Sequence, residues 1–230
     1  MARRRFSNLL ALAVLSCLNE RPMHPYEISQ TLRQRGKDQS IKLNYGALYG
    51  VVESLAKAGL IEPRETVREG KRPERTVYAI TEAGAQEHDE WLEDLIATPV
   101  RDYHSLEAGL ALMAGLAPDR VVRALEERTV KLRVELASVD ESLRIAEEMR
   151  LPEIFSMEAD LRQALLRAEL DFVTALAQRM RAGTLTGVVG WRRVHELLAQ
   201  GMTLQEIFRD PVTHLGPDGE PFAPFVGGSG

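Results

Sequence analysis

At 230 residues, 44% hydrophobic and 27% charged, the chain is long enough to bury a core and to fill two modest domains. No apolar run approaches the roughly 18 to 20 residues that span a bilayer, and Arg3-Arg4-Arg5 followed by Leu9 to Leu18 lacks the length and cleavage site of a secretion signal, so a soluble, cytoplasmic protein is expected. The net charge of −5 conceals an asymmetry: residues 1–81 carry 14 Lys+Arg against 8 Asp+Glu, net +6, which leaves 15 against 26, net −11, in the remainder, so one end is built to meet an anion.

The first predicted helix runs from about Asn8 to Asn19, with Leu9, Leu12, Leu15 and Leu18 as its core face. Cys17, the single cysteine, excludes an internal disulfide framework and reads as a small buried hydrophobe, with a redox-sensing thiol as the alternative. A second helix starts at Met23-His24-Pro25-Tyr26-Glu27, where Pro25 suits the first helical position because its missing N–H is unpaired there anyway, and runs to about Arg35. Lys42-Leu43-Asn44-Tyr45-Gly46-Ala47-Leu48-Tyr49 opens a third, with Asn44 as N-cap and with Leu48, Val51 or Val52, and Leu55 facing inward. Tyr45, Tyr49 and Glu53 then share one face. Gly46 and Gly50 weaken a helix by up to about 1 kcal/mol each relative to alanine, which points to a surface that something approaches closely, against the plainer reading of a tolerated glycine pair.

Beyond Pro63, a strand over Arg64 to Arg68, a turn at Glu69-Gly70-Lys71-Arg72-Pro73 and a return strand over Arg75 to Ile80 make a wing. Arg64, Arg68, Lys71, Arg72 and Arg75 gather on it, suited to phosphates flanking a groove, although Glu65, Glu69 and Glu74 dilute that charge. A fourth helix, capped by Thr81, presents His88, Trp91 and Leu95 at helical spacing. Thr98-Pro99 is the first clear break.

The remainder reads as helical. Leu125, Thr129, Leu132, Leu136, Val139, Leu143 and Ala146 recur at 4-3 spacing within Asp119 to Arg150, and after a turn at Leu151-Pro152 the series Leu161, Leu165, Ala168, Phe172 and Ala175 repeats it, ending near Ala182-Gly183. Two such helices want a partner for a shared stripe, so Leu132, Leu136, Val139, Leu143, Leu161, Leu165 and Phe172 are candidate dimer-interface residues. Trp191 to Gln200 and Thr203 to Arg209 form two short helices around Gly201, and Pro211 to Gly230, with four prolines and five glycines, is expected to be mostly disordered.

The expected fold is therefore mainly α with a small β wing: a winged helix-turn-helix at 1–97, a long-helix dimerisation domain at 99–183, and a C-terminal extension at 184–230. Pro22-Met23-His24-Pro25-Tyr26-Glu27, Gly46-Ala47-Leu48-Tyr49, Leu55-Ala56-Lys57-Ala58-Gly59-Leu60-Ile61 and Arg75-Thr76-Val77-Tyr78-Ala79-Ile80-Thr81-Glu82-Ala83-Gly84 resemble the PadR family of phenolic-acid-responsive transcriptional regulators over residues 6–97. Many members have glycine where this chain has Pro25, which keeps the helix start. The resemblance implies that Tyr26, Asn44, Ala47 and Tyr49 lie in or near a DNA surface, with Lys71 or Arg72 at the wing tip and Tyr78 in the wing core; Lys42, Tyr45, Arg68 and Arg75 complete the candidate DNA-binding set. The Trp91-Leu92 pair resembles a position where some PadR-like proteins line a dimer-interface pocket for flat aromatic ligands, which makes His88, Trp91 and Leu95 the candidate effector pocket; a core tryptophan is the plainer reading, and Trp191, Phe155 and Phe172 are equally defensible pocket residues.

Enzyme chemistry finds little support. His195-Glu196 opens like a zinc-protease helix, but Ala199 stands where the second histidine must be. Glu87-His88-Asp89-Glu90 spreads its ligands over different helix faces. Phosphate-loop, dinucleotide and nucleophile-elbow fingerprints are missing. Neither cofactor nor metal is expected; the expected partners are double-stranded operator DNA, a second copy of the chain and a possible small aromatic effector, with no membrane. The function expected is that of a ligand-responsive repressor binding an inverted repeat as a homodimer, the alternative being a protein-interaction module that uses the winged helix and helical arms as a scaffold.

Overall fold

The computed structural model describes residues 8–41, 44–67 and 75–225. The chain divides into two compact units, Met1–Arg101 and Asp102–Gly230, a boundary a few residues beyond Thr98-Pro99.

Unit 1 is built around α1 (Leu9–Glu20), which packs against α2 (Pro25–Gln34), α3 (Tyr45–Lys57), α4 (Glu82–Ala97) and the second strand of the wing. Surrounded in this way, α1 buries Leu10 to Leu15, Cys17 and Leu18 rather than one stripe, while Leu9, expected on the core face, is 40% exposed. Leu48, Val52 and Leu55 supply the inward face of α3, which resolves the choice between Val51 and Val52 in favour of Val52. Helix α3 ends in a Schellman turn: Leu60 N–H donates to Leu55 O and Gly59 N–H to Ala56 O, with Gly59 at φ +74°. The Ala58-Gly59-Leu60 sequence is thus a helix stop that returns Leu60 to the core.

Strands β1 (Ile61–Val67) and β2 (Arg75–Ile80) pair antiparallel with a bulge at Arg64, since Pro63 faces Tyr78 and Glu65 faces Val77. Met23 adds a bridge to Tyr78 through reciprocal 3.0 Å hydrogen bonds, tying the α1–α2 link to the wing. Thr81 accepts from Gly84 N–H at 3.1 Å and donates to Gly59 O at 2.8 Å, so one hydroxyl caps α4 and holds it to the end of α3. There the chains approach so closely that a Cβ on Gly84 would lie 1.9 Å from the Leu60 carbonyl oxygen.

Unit 2 begins with α5 (Ser105–Leu112), which the sequence pattern did not predict, followed by the antiparallel pair α6 (Pro118–Glu148) and α7 (Met157–Arg181). Arg150, at φ +53°, takes the left-handed position beyond α6 that glycine usually fills. Cross-helix polar pairs line the hairpin: Arg128 Nε to Glu169 at 2.5 Å, Arg162 to Glu135 at 2.7 Å and Gln163 to Asp140 at 2.6 Å. Such pairs add little stability when exposed, but they match only one alignment of the helices.

Two expectations need correction here. Leu132 and Val139 are buried within the chain's own helical unit, and Leu136 and Leu143 are half-buried, so this seam is used inside one protomer rather than held free for a partner. On α7 the residues turned into the core are Leu166, Leu170, Val173, Ala177 and Met180, whereas Leu161, Leu165 and Phe172 stand 62%, 63% and 52% exposed. The helix carries two apolar stripes, and spacing alone does not say which one meets α6.

The second correction concerns the C-terminus. Helices α8 (Val188–Ala199), α9 (Leu204–Arg209) and α10 (Pro211–Leu215) lead into a run of 3-10 turns over Gly216–Phe225, so the first fifteen of the twenty residues expected to be disordered are ordered. Their core joins Leu197, Ile207 and Leu215. Glycine and proline here shape a close fit: a Cβ on Gly219 would sit 2.1 Å from Pro211 O, and one on Gly190 would sit 2.5 Å from Asp218 Cβ. Asp218 Oδ2 accepts the Gly190 N–H at 2.5 Å. No helix among the described residues is long and apolar enough to cross a membrane.

Candidate nucleic-acid interface

The face left open by the core of unit 1 is formed by α2, α3 and the wing. His24 N–H donates to Glu27 Oε2 at 2.8 Å and His24 Nδ1 accepts the Tyr26 N–H at 3.1 Å, a reciprocal cap that fixes the start of α2. Just inside it, Tyr26 is 42% exposed and its hydroxyl accepts from Gln30 Nε2 at 3.1 Å. Asn44 caps α3 by accepting the Gly46 N–H at 3.0 Å; the cap uses its carbonyl oxygen, and the carboxamide NH2 is a further donor.

From that cap the outward residues follow from helical spacing. Because Leu48, Val52 and Leu55 point inward, Gly46, Ala47, Tyr49, Gly50 and Glu53 point out, and all five are exposed, Tyr49 at 46%. Among the described residues, and apart from the helix's own nearby backbone, no atom lies within 4 Å of where a Gly50 Cβ would stand, so none of them requires glycine at this position. A bare stretch of helix beside a projecting tyrosine lets a flat or grooved surface come close to the backbone. Arg64, exposed at the bulge, has no cross-strand partner.

The candidate residues Tyr26, Asn44, Ala47 and Tyr49 thus lie exposed on two helices that pack together. Tyr45 starts α3 and Arg75 starts β2, but their side chains lie outside the described residues, as do Lys42, Arg68, Lys71 and Arg72 altogether. Tyr78 is half-buried against the core, as the wing-core reading expects.

The proposed effector trio does not act as a unit. Trp91 is 5% exposed and belongs to the core around α1, His88 is buried, and Leu95 is 44% exposed. Sequence spacing gave no sign of Ser16, whose Oγ lies 3.0 Å from His88 Nε2, while His88 Nδ1 lies 2.8 Å from Asp89 Oδ1. The order Ser-His-Asp imitates a hydrolytic triad. Ser16, however, sits in the middle of α1 and donates to Leu12 O at 3.0 Å, so the chain of contacts pins α4 to α1. The half-formed zinc motif is occupied differently as well: His195 Nε2–H donates to Ala114 O at 3.0 Å, and no group of three or more potential metal ligands occurs among the described residues. Burial pushes the Cys17 thiol up to about 11, with Glu20 adding to the shift, which keeps it protonated and favours the plain hydrophobic role.

Residues 14–90 match the model of a family described as the Transcriptional regulator PadR-like family. Among solved structures, Bacillus subtilis PadR in complex with operator DNA is similar over 74% of this chain and 98% of its own, at 16% identity and a TM-score of 0.60. The same protein in complex with p-coumaric acid matches at 14% identity with the same coverage and a TM-score of 0.60. The protein smu.1604c from Streptococcus mutans matches at 21% identity over 72% of this chain and 96% of its own, with a TM-score of 0.51. At these identities the likeness is one of fold. No curated protein sequence matches the chain.

Proposed function

We propose, from the match of residues 14–90 to the Transcriptional regulator PadR-like family, that the protein is a cytoplasmic repressor that binds an inverted repeat as a homodimer and answers to a small ligand. The observation that carries the DNA-reading part is the outward face of α3, where Ala47, Tyr49 and two glycines project beside a capped helix start. A bare, tyrosine-bearing helix fits the major groove, the tyrosine meeting base edges while wing cations meet phosphates. Tyr26 and Asn44 act at the flanks, with Tyr45 and Ala47 against the groove and Lys42, Arg64, Arg68, Lys71, Arg72 and Arg75 as the phosphate contacts. In a dimer, two such helices reach half-sites about 34–36 Å apart.

Self-association rests on α7. Leu161, Leu165 and Phe172 form an exposed stripe on the side of α7 away from its buried residues, and large apolar side chains aligned in this way favour burial between two copies. Ligand response rests on the resemblance and on the p-coumaric acid complex of a structural relative, and it requires the ligand to favour the conformation that does not bind DNA: a tenfold release needs a coupling of about 1.4 kcal/mol.

The test is fluorescence anisotropy of the protein on DNA from upstream of its own gene, against a scrambled duplex, over a range of salt. Tight binding to the first with a steep salt slope is expected; equal affinity for both removes the repressor reading. Arg72→Ala is expected to weaken both duplexes alike and to reduce the salt slope by about one unit.

A further inference from the structure

Unit 2 contains a cavity of about 460 Å³ that the DNA-reading face does not use. Its walls include Trp191 and Val194 from α8, Phe208 from α9, Leu215 from α10, and Asp218 and Phe222 from the 3-10 run, while Ala114 and Gly115 close one side. The volume falls within the roughly 300–1,000 Å³ of small-molecule sites. Phe208 and Phe222 meet edge to face, their ring centres 5.3 Å apart at 67°, so the aromatic wall has a fixed shape. The wall is also held from behind by the contacts of Gly190 with Asp218 and of Gly219 with Pro211.

The Trp191 Nε1–H has no acceptor among the described residues but is closed off from any water-sized atom, so the indole meets an occupant through its ring. One polar feature selects an occupant. The single charged side chain in the lining is Asp218, and a carboxylate in an apolar cavity repels a second anion.

We propose that this cavity is a binding site for a flat aromatic molecule without negative charge, such as a neutral phenol or heteroaromatic, held among Trp191 and the Phe208–Phe222 pair. It supplies a location and a charge preference for the ligand response proposed above. Binding is measured without DNA, so the site stands or falls independently of whether occupancy releases an operator.

Isothermal titration of the full-length protein with 2-naphthol, naphthalene and 2-naphthoate, which share a ring system and differ in polarity and charge, tests the site. 2-Naphthol is expected to bind at least tenfold tighter than 2-naphthoate, and Asp218→Asn, which keeps an acceptor for Gly190 N–H, is expected to shrink that ratio. Trp191→Phe, which removes part of the wall the ring lies on, should weaken all three. Ala114→Leu, which fills space from the opposite side, should weaken all three, and each variant is checked for an unchanged thermal transition. Naphthoate binding as well as naphthol, or naphthol binding unaffected by both Trp191→Phe and Ala114→Leu in folded protein, overturns the proposal.

Discussion

The apolar side chains of two helices in this protein, α1 and α7, meet opposite fates. In unit 1, α1 is enclosed by three helices and a strand, and it buries every apolar side chain it has except Leu9. In unit 2, α7 turns Val173, Ala177 and Met180 inward and leaves Leu161, Leu165 and Phe172 exposed on another face. The apolar side chains of α1 are therefore almost all used in intramolecular packing, whereas α7 keeps several exposed. The side chains left exposed differ accordingly: Tyr26 and Tyr49 on the reading face carry hydroxyls that water or a base edge can satisfy, whereas leucine and phenylalanine on α7 gain only from being covered.

Substitution at the two kinds of site is the direct way to break that comparison. Leu15→Ala, in the enclosed core, is expected to cost about 2–5 kcal/mol of unfolding free energy in urea titrations. A loss below 1 kcal/mol would mean that α1 is not the strut described. Leu165→Asp should leave the monomer folded by circular dichroism and weaken self-association by about 3 kcal/mol, roughly a hundredfold, in sedimentation. Leu132→Asp, by contrast, is expected to unfold the helical pair rather than merely separate two copies, since Leu132 is spent inside it. An intact dimer in Leu165→Asp together with a folded monomer in Leu132→Asp would reverse the assignment of the two stripes.

Smaller effects sharpen the reading face. Gly50→Ala meets no steric obstacle in the free protein and is expected to raise stability by up to about 1 kcal/mol, yet to weaken operator binding because a methyl then stands where the groove approaches. Stability and affinity moving together would remove the close-approach explanation. Tyr49→Ala should lower discrimination between operator and scrambled DNA with little change in melting temperature. The smallest expected signal is that of Cys17: with its thiol pushed up to about 11, about one molecule in a thousand is thiolate at pH 8, so labelling by a disulfide reagent should proceed only at the rate of unfolding. Rapid labelling of native protein would reopen the redox reading.

What was legible in the sequence was whatever is encoded within a few residues. The caps at Asn44 and Thr81, Pro25 at the first position of α2 and the return strand over Arg75–Ile80 all appear as read. What was missed depends on residues far apart. The Met23–Tyr78 bridge, the Ser16–His88 contact and the Gly190–Asp218 hydrogen bond join positions 55, 72 and 28 apart, and none leaves a periodic trace. The ordered C-terminal turns were missed because composition counts glycine and proline as breakers, whereas Gly219 is needed where another chain segment passes too close for a Cβ. Trp91 and Trp191 look equivalent as letters; burial assigns the first to the core and the second to the wall of a cavity.

The bulge at Arg64 has a consequence for how the wing can evolve. A ribbon with one residue more on β1 than on β2 between fixed pairs cannot slide by a single position without losing its mismatch, so the pairing above and below the bulge is locked in phase. Insertions or deletions between Val67 and Arg75 can then alter the reach of the wing tip without rotating Arg64 to the other face. The hairpin works as a ruler with an adjustable end: length is free to drift at the tip, where contacts with a new binding site would be sampled, while the cation at the base keeps its place.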